Sequence, residues 1–170
     1  MTIGEKRNVA IAAASGDFIC HFDDDDLYAP SYLATMLAAL DDARADFVKL
    51  SAWFVHDLQT GATGHFDAEA GMPPPSLAPL TEQFLYTYGF SLLYRRKLFP
   101  AFSFAATSWG EDQDILKRVR GGGRRVALHR DRTGICLHNR HGENCSRSFA
   151  HVPVERRLLE ASPLGHLLDA

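Results

Sequence analysis

Phe18-Ile19-Cys20-His21-Phe22-Asp23-Asp24-Asp25-Asp26-Leu27-Tyr28 is an apolar run that ends in four consecutive aspartates. Four like charges side by side repel, and nothing in the folding of a small domain asks for them. A cation, or a ligand that brings one, is the simplest physical reason for them. Phe18–Phe22 reads as a short buried strand, apolar except for His21. Upstream, Gly4 to Ala14 is Ala-rich helix material broken at Ser15-Gly16. Downstream, a turn over Asp26–Pro30 leads into a helix from Pro30 or Ser31 to about Ala43. Leu33, Met36, Leu37 and Leu40 are its expected apolar stripe. The unit is helix–strand–helix, with acids at the strand's carboxyl end, where open α/β sheets bind ligands.

The rest of the chain continues an α/β pattern. Asp46–Leu58 alternates and is rich in β-formers, Thr60-Gly61 is a turn, and Ala62–Phe66 returns as a hairpin partner. Ala70–Pro79, with Pro73-Pro74-Pro75, is a loop. A short helix at Glu82–Tyr86 and a strand at Gly89–Tyr94 follow, then an irregular aromatic stretch to Ser108. Trp109–Arg120 is a helix with acids first and bases last, as its dipole prefers, stopped by Gly121-Gly122-Gly123. Arg125–His129 and Gly134–Leu137 are strands, and Pro153–Leu168 is a helix interrupted at Pro163–Gly165.

Composition sets limits on partners. The 170 residues carry a net charge of −3, 46% hydrophobic and 23% charged residues. These values suit one globular domain and argue against broad electrostatic binding to nucleic acid. No apolar run reaches transmembrane length and no signal-peptide pattern opens the chain. Cys20, Cys136 and Cys145 are odd in number and form no CxxC, so neither a disulfide framework nor a zinc knuckle is expected. A cytoplasmic location follows, at most peripheral to a membrane.

The chemistry-bearing groups each have two readings. Asp23 and Asp25 share a side of an extended chain, roughly 6–7 Å apart. They suit a hard divalent cation, Mg²⁺ or Mn²⁺, and the alternative is a solvated acidic turn capping the next helix; Asp24 and Asp26 read as supporting or capping residues. Lys6, Arg7 and Asn8 are either phosphate- or base-holding groups or plain surface polarity. Glu111 and Asp112 are either first-turn acids or a general-base pair, with Trp109 offering a face of the kind sugars stack on. His138 and His141 are either exposed loop histidines or ligands that complete the acidic site.

Taken in order, these pieces resemble a family. Gly4-Glu-Lys-Arg-Asn8, Ala14-Ser-Gly-Asp17, Ile19-Cys-His-Phe-Asp-Asp-Asp-Asp26, Pro30 and Leu33 look like the central part of the family 2 glycosyltransferases. Trp109-Gly-Glu-Asp-Gln-Asp114 resembles that family's later Glu-Asp helix. His138-x-x-His141-x-x-Asn144-x-Ser146 is similar to a segment near its end. The resemblance implies a GT-A-type, Rossmann-like mixed sheet flanked by helices, over a domain of residues 1–150 with a helical tail at 151–170. It implies a metal-dependent inverting transferase, acting on a nucleoside-diphosphate sugar and a sugar or other hydroxyl acceptor.

By position, Asp25 and Asp23 would hold the metal, with His138 or His141 as a further ligand. Lys6, Arg7, Asn8, Asp23 and Asp24 would lie at the donor. Asp112 would be the base, Glu111 would orient a substrate, and Trp109 and Asp114 would meet the acceptor. The family opens with two further strands, the first reading like Val-Ser-Val-Ile-Ile-Pro-Thr-Tyr-Asn, which are not found before Lys6. The expectation is an N-terminally truncated domain whose strand Phe18–Phe22 has an open edge or is completed by a second chain. The rival readings are a non-catalytic remnant or interaction module, and a metal-dependent phosphoryl-transfer enzyme using the same acids.

Overall fold

A computed structural model describes residues 1–71, 75–144 and 149–168. Pro73 and Pro74 of the proline loop, and Cys145 and Ser146 of the histidine segment, lie outside the described residues.

Helix α1, Ile3–Ala13, starts at a capping box. The Thr2 hydroxyl accepts from Glu5 N at 3.2 Å, and the Glu5 carboxylate accepts from Thr2 N at 2.7 Å. Strand β1, Phe18–Cys20, follows, then the acidic turn and the two-residue strand β2, Leu27–Tyr28. Helix α2, Tyr32–Asp42, buries Tyr32, Met36 and Leu40, one residue per turn. Met36 and Leu40 of the expected stripe are buried and Leu37 packs beside them, whereas Leu33 is 45% exposed and Tyr32 takes its place in the core.

Strand β3, Phe47–Asp57, is the axis of the sheet. It is buried on both faces from Phe47 to Trp53, not on alternate residues as its pattern suggests. A register irregularity between Leu50 and Ala52 changes the phase of the strand. Val48 and Leu50 before it, and Trp53 and Val55 after it, therefore feed one core, while Phe47 joins a second. Strand β4, Thr63–Asp67, returns from β3 as the expected hairpin.

Helix α3, Thr81–Leu85, precedes strand β5, Leu93–Arg95. The strand expected from Gly89 starts later, because Gly89–Ser91 forms a 3₁₀ turn. Helix α4, Glu111–Gly121, buries Ile115, Leu116 and Val119. Strands β6, Val126–Arg130, and β7, Cys136–Arg140, run parallel to β3. Strand β7 reaches beyond Leu137, which puts His138 in the sheet instead of a loop.

Pairing fixes the layout. Phe47 pairs with Tyr94 of β5 and Val126 of β6, and Phe54 pairs with His65 of β4 and Leu137 of β7. So β5 and β4 lie along one edge of β3, and β6 and β7 along the other. Strand β1 continues outward from β5, and β2 outward from β7. The acidic turn joining β1 to β2 thereby crosses from one wing of the sheet to the other. No strand among the described residues pairs with the outer edge of β1, which is the open edge expected. Near the chain's end, β8, Val152–Pro153, pairs with β4. The helix expected over Pro153–Leu168 shrinks to α5, Arg156–Glu160, and a 3₁₀ turn, and it seats Leu159 and Leu164 in the core.

A cationic side chain sits inside this core. Lys49 of β3 is 0% exposed. Its ammonium donates to Leu50 O at 2.6 Å and Leu85 O at 3.1 Å and lies 5.8 Å from the Trp53 ring. Burial lowers its pKa from 10.5 to about 7, against an opposing pull from Asp112. Between these values the unfolded chain binds more protons than the folded one, so this residue makes stability rise with pH across that window. Lys49→Met is expected to flatten that rise: thermal unfolding at about pH 7 and about pH 10 should show a smaller gain for the variant than for the parent chain. Equal gains would place the ammonium in water.

Candidate functional site

A cleft of about 770 Å³ opens where the acidic turn, the Gly89 turn and the start of α4 converge. Its lining includes Arg7, Asp23, Asp24, Asp25, Trp109, Glu111, Asp112, His138 and Asn144. Residues expected at one site from distant parts of the chain are thus brought together.

The acidic turn is held from below by β7. Asp26 is 8% exposed. Its carboxylate accepts from His138 Nδ1 at 3.0 Å and from Asn139 N at 2.9 Å. The Asn139 amide donates to Asp25 O at 2.7 Å. Asp26 is therefore neither solvated nor a helix cap, and Ser31 at the start of α2 makes no side-chain cap. Next to it, the Asp25 carboxylate meets His141 Nε2 at 2.8 Å and accepts from Asn144 Nδ2 at 3.2 Å. Asp23 N donates to the Tyr28 hydroxyl at 3.1 Å, and that hydroxyl donates to Phe90 O at 3.0 Å. Asp24 is exposed and lines the cleft.

Carboxylate oxygens of Asp23, Asp25 and Asp26 lie within 4.8 Å of one another, the one group of metal-holding type among the described residues. Burial raises the Asp23 pKa, Arg7 opposes that, and the neighbouring Asp26 and Asp25 reinforce it. The histidines stand behind this group, His138 on Asp26 and His141 on Asp25. An ionised carboxylate only accepts, so the bond to Asp26 puts a proton on His138 Nδ1. His138 Nε2 is buried with no hydrogen-bond partner. A carboxylate that orients a histidine and leaves its second nitrogen open is a recurrent support for metal ligands. The all-oxygen carboxylate set fits a hard divalent ion.

Arg7 links the acids to α4. Its Nη1 donates to His21 Nδ1 at 3.0 Å and to Gly89 O at 3.3 Å. Its Nε lies 3.6 Å from Glu111 Oε1, and both side chains are largely buried. Burial, and then the Arg7 charge, push the His21 pKa down to about 3. The neutral ring accepts at Nδ1 and so donates from Nε2 to the Tyr94 hydroxyl at 2.9 Å. Gly89 is needed here for space: a Cβ would stand 2.8 Å from Arg7 Nη2 and 3.1 Å from Asp112 Cβ. Glu111 is 6% exposed, and its pKa is raised by burial, with Asp112 adding to the rise and Arg7 opposing it. Asp112 is less buried and faces the cleft, with one oxygen accepting from Gln113 N at 2.7 Å.

Two expected residues are used elsewhere, and a third, Lys6, stands in an adjoining groove. Asn8 exchanges two 2.9 Å hydrogen bonds with the backbone of Phe104, so its amide fastens a loop. Lys6 lines a second groove of about 560 Å³ between α1 and β1, which shares Ile3, Arg7 and Asp23 with the cleft. Asp114 pairs with Arg118 at 2.8 Å on the helix surface, and it does not line the cleft. Conversely, Asn139, Gly89 and Tyr28, which carry no functional signal in the sequence, also shape the site, as do Asp26 and Asn144 of the segments noted above. The spacing of Asp114 and Arg118, four apart on a helix, signals their pairing. Nothing local signals Gly89.

Among solved structures, the chain resembles residues 1–349 of S. aureus TarS, with a TM-score of 0.54 and 19% identity over 81% of this chain and 40% of that one. The same protein in complex with UDP-GlcNAc gives 0.57 and 19%, over 88% and 42%. Its complex with UDP gives 0.54 and 18%, over 81% and 40%. At this identity the likeness is one of fold, and the chain spans about two-fifths of the length of these relatives. No curated protein matches the sequence. The sequence model of the family described as glycosyl transferase family 2 matches residues 2–119. The chain belongs to glycosyl transferase family 2.

Proposed function

We propose that the cleft is the site of a metal-dependent, inverting transfer of a sugar from a nucleoside diphosphate to an acceptor hydroxyl. The observation that carries this reading is the convergence of the acidic turn and the Glu111–Asp112 pair on one cleft, linked through Arg7. Membership of the family supports it, and so does the fold shared with a protein whose solved complexes hold UDP-GlcNAc and UDP.

Asp23 and Asp25, with Asp26 beside them, would hold the divalent ion; His138 supports Asp26 and His141 steadies Asp25. Such an ion, Mn²⁺ or Mg²⁺, offsets the charge of a departing diphosphate. Arg7, between Asp23 and Glu111, borders the donor. Asp112 has an oxygen unused by its helix and takes the proton from the acceptor hydroxyl. The acceptor oxygen bonds to the anomeric carbon as the bond from that carbon to the diphosphate oxygen breaks. The electron pair leaves with the nucleoside diphosphate, and a single displacement inverts the anomeric centre. Glu111, fixed by Arg7, orients the donor or acceptor and is too buried to serve as the base.

Two variants test separate parts of this reading. Asp25→Ala should abolish calorimetric binding of UDP in the presence of Mn²⁺; binding equal to the parent chain would remove Asp25 from the metal site. Asp112→Asn should keep that binding and lower transfer by roughly 10²–10⁴-fold, the range for losing a general base. Turnover near the parent level would assign the base to another residue.

A further inference from the structure

The charges of this chain are divided between two ends of the sheet. Helix α4 opens with Glu111, Asp112 and Asp114 beside the cleft and carries Arg118 and Arg120 in its last turn. At 1.5 Å per residue those two ends stand roughly 16 Å apart. Strand β1 has the same polarity: it runs toward the acidic turn, and Phe18 at its start pairs with Arg95. Eight of the 18 lysines and arginines fall in residues 95–103 and 115–125, and neither segment contains an aspartate or a glutamate.

The fold sets these two segments side by side at the end away from the cleft. Arg95 N donates to Asp46 O at 3.1 Å and Asp46 N donates to Arg125 O at 2.9 Å, so the end of β5 and the approach to β6 flank the start of β3. Arg118 Nη2 donates to Ser103 O, and a Cβ on Gly122 would lie 3.0 Å from the Phe102 ring. Carboxylates neutralise part of the rim: Arg95 pairs with Asp41 at 2.7 Å, Arg118 with Asp114 at 2.8 Å and Arg120 with Glu82 at 3.0 Å. Arg96 and Arg125 each give one side-chain N–H to a backbone carbonyl, of Gly16 and Ala43. Lys97, Lys117 and Arg124 are exposed and have no side-chain partner among the described residues. Asp17, Asp42 and Asp46 stand near the same rim and leave the cations in excess.

The surface selects its partner by charge alone. None of these cations lines the cleft or the groove beside α1. Among the described residues, no large apolar side chain in 95–103 or 115–125 is exposed. A stable protein partner would meet an apolar centre, and single-stranded nucleic acid would meet exposed rings on which its bases stack. An extended array of negative headgroups needs neither. Such a surface attracts this end of the molecule and repels the acidic end, so a chain of net charge −3 still binds and is oriented as it does.

We propose that the basic rim docks on an anionic lipid surface, with the cleft facing away from it. The docking does not rest on the transfer proposed above. With no apolar group to insert, the contact stays at the headgroups and is screened by salt.

Co-sedimentation with vesicles tests it. Vesicles of phosphatidylcholine and phosphatidylglycerol in equal amounts should carry the chain down at low ionic strength and release it at high ionic strength; phosphatidylcholine alone should not carry it. Lys97→Glu with Arg124→Glu should weaken that partitioning by about tenfold or more, and neither side chain has a partner whose loss would unfold the chain. Arg132→Glu with Arg157→Glu changes the net charge equally outside the rim and should bind as the parent does. No sedimentation with the anionic vesicles, equal sedimentation with both kinds, binding kept by the rim variant, or the same loss in both variants would each overturn the proposal. So would binding of a single-stranded oligonucleotide under conditions where the anionic vesicles bind nothing.

Discussion

The site depends on one buried contact, the carboxylate of Asp26 against His138 and Asn139 of β7. The acidic turn joins strands on opposite wings of the sheet, and its charges repel. A turn of this kind held only at its two ends would splay into water. Asp26 turns inward and receives a ring N–H and a backbone N–H, and Asn139 returns a hydrogen bond to the Asp25 carbonyl. Charge-assisted bonds of this type are among the stronger ones in proteins, and losing one partner leaves a buried charge uncompensated. The inward aspartate thus keeps Asp23 and Asp25 facing the cleft, close enough that their repulsion favours a cation.

The same logic extends across the cleft. Arg7 is fixed by a neutral histidine, a glycine carbonyl and a glutamate from three separate elements. His21 lies two residues before Asp23 of the acidic turn, and Glu111 opens α4, so one guanidinium sets the spacing between the two halves of the site. Gly89 makes that possible by having no side chain. The loop carrying Trp109 is fastened to α1, the helix that carries Arg7. The acidic turn, the start of α4 and the Trp109 loop therefore share one short helix as their common support.

The acidic turn was legible in the sequence because four adjacent like charges repel and call for a cation or another compensating partner. The Glu111–Asp112 pair and the two histidines were legible through their order along the chain. Asp26 reads from the sequence only as a supporting or capping residue; which of the two it is depends on a partner 112 residues away, on a strand that runs further than its apolar stretch suggests. Asn8 looked like a ligand beside two cations, yet its amide meets a loop 96 residues later. The phase change in β3 was also hidden, since a bulge shifts which residues share a face without altering composition. Local pattern gave the elements; the residues misjudged were those whose partners come from distant sequence.

The central claim is that the acidic turn holds a metal–nucleoside diphosphate complex. Thermal unfolding with UDP and other nucleoside diphosphates, each with and without Mn²⁺, tests it most directly. A ligand at about a hundredfold excess over its Kd adds roughly 2.7 kcal/mol to the folded state, or on the order of 5–10 °C for a domain of this size. The account predicts a rise of that order that requires nucleotide and metal together. No shift, or the same shift without metal, would contradict it.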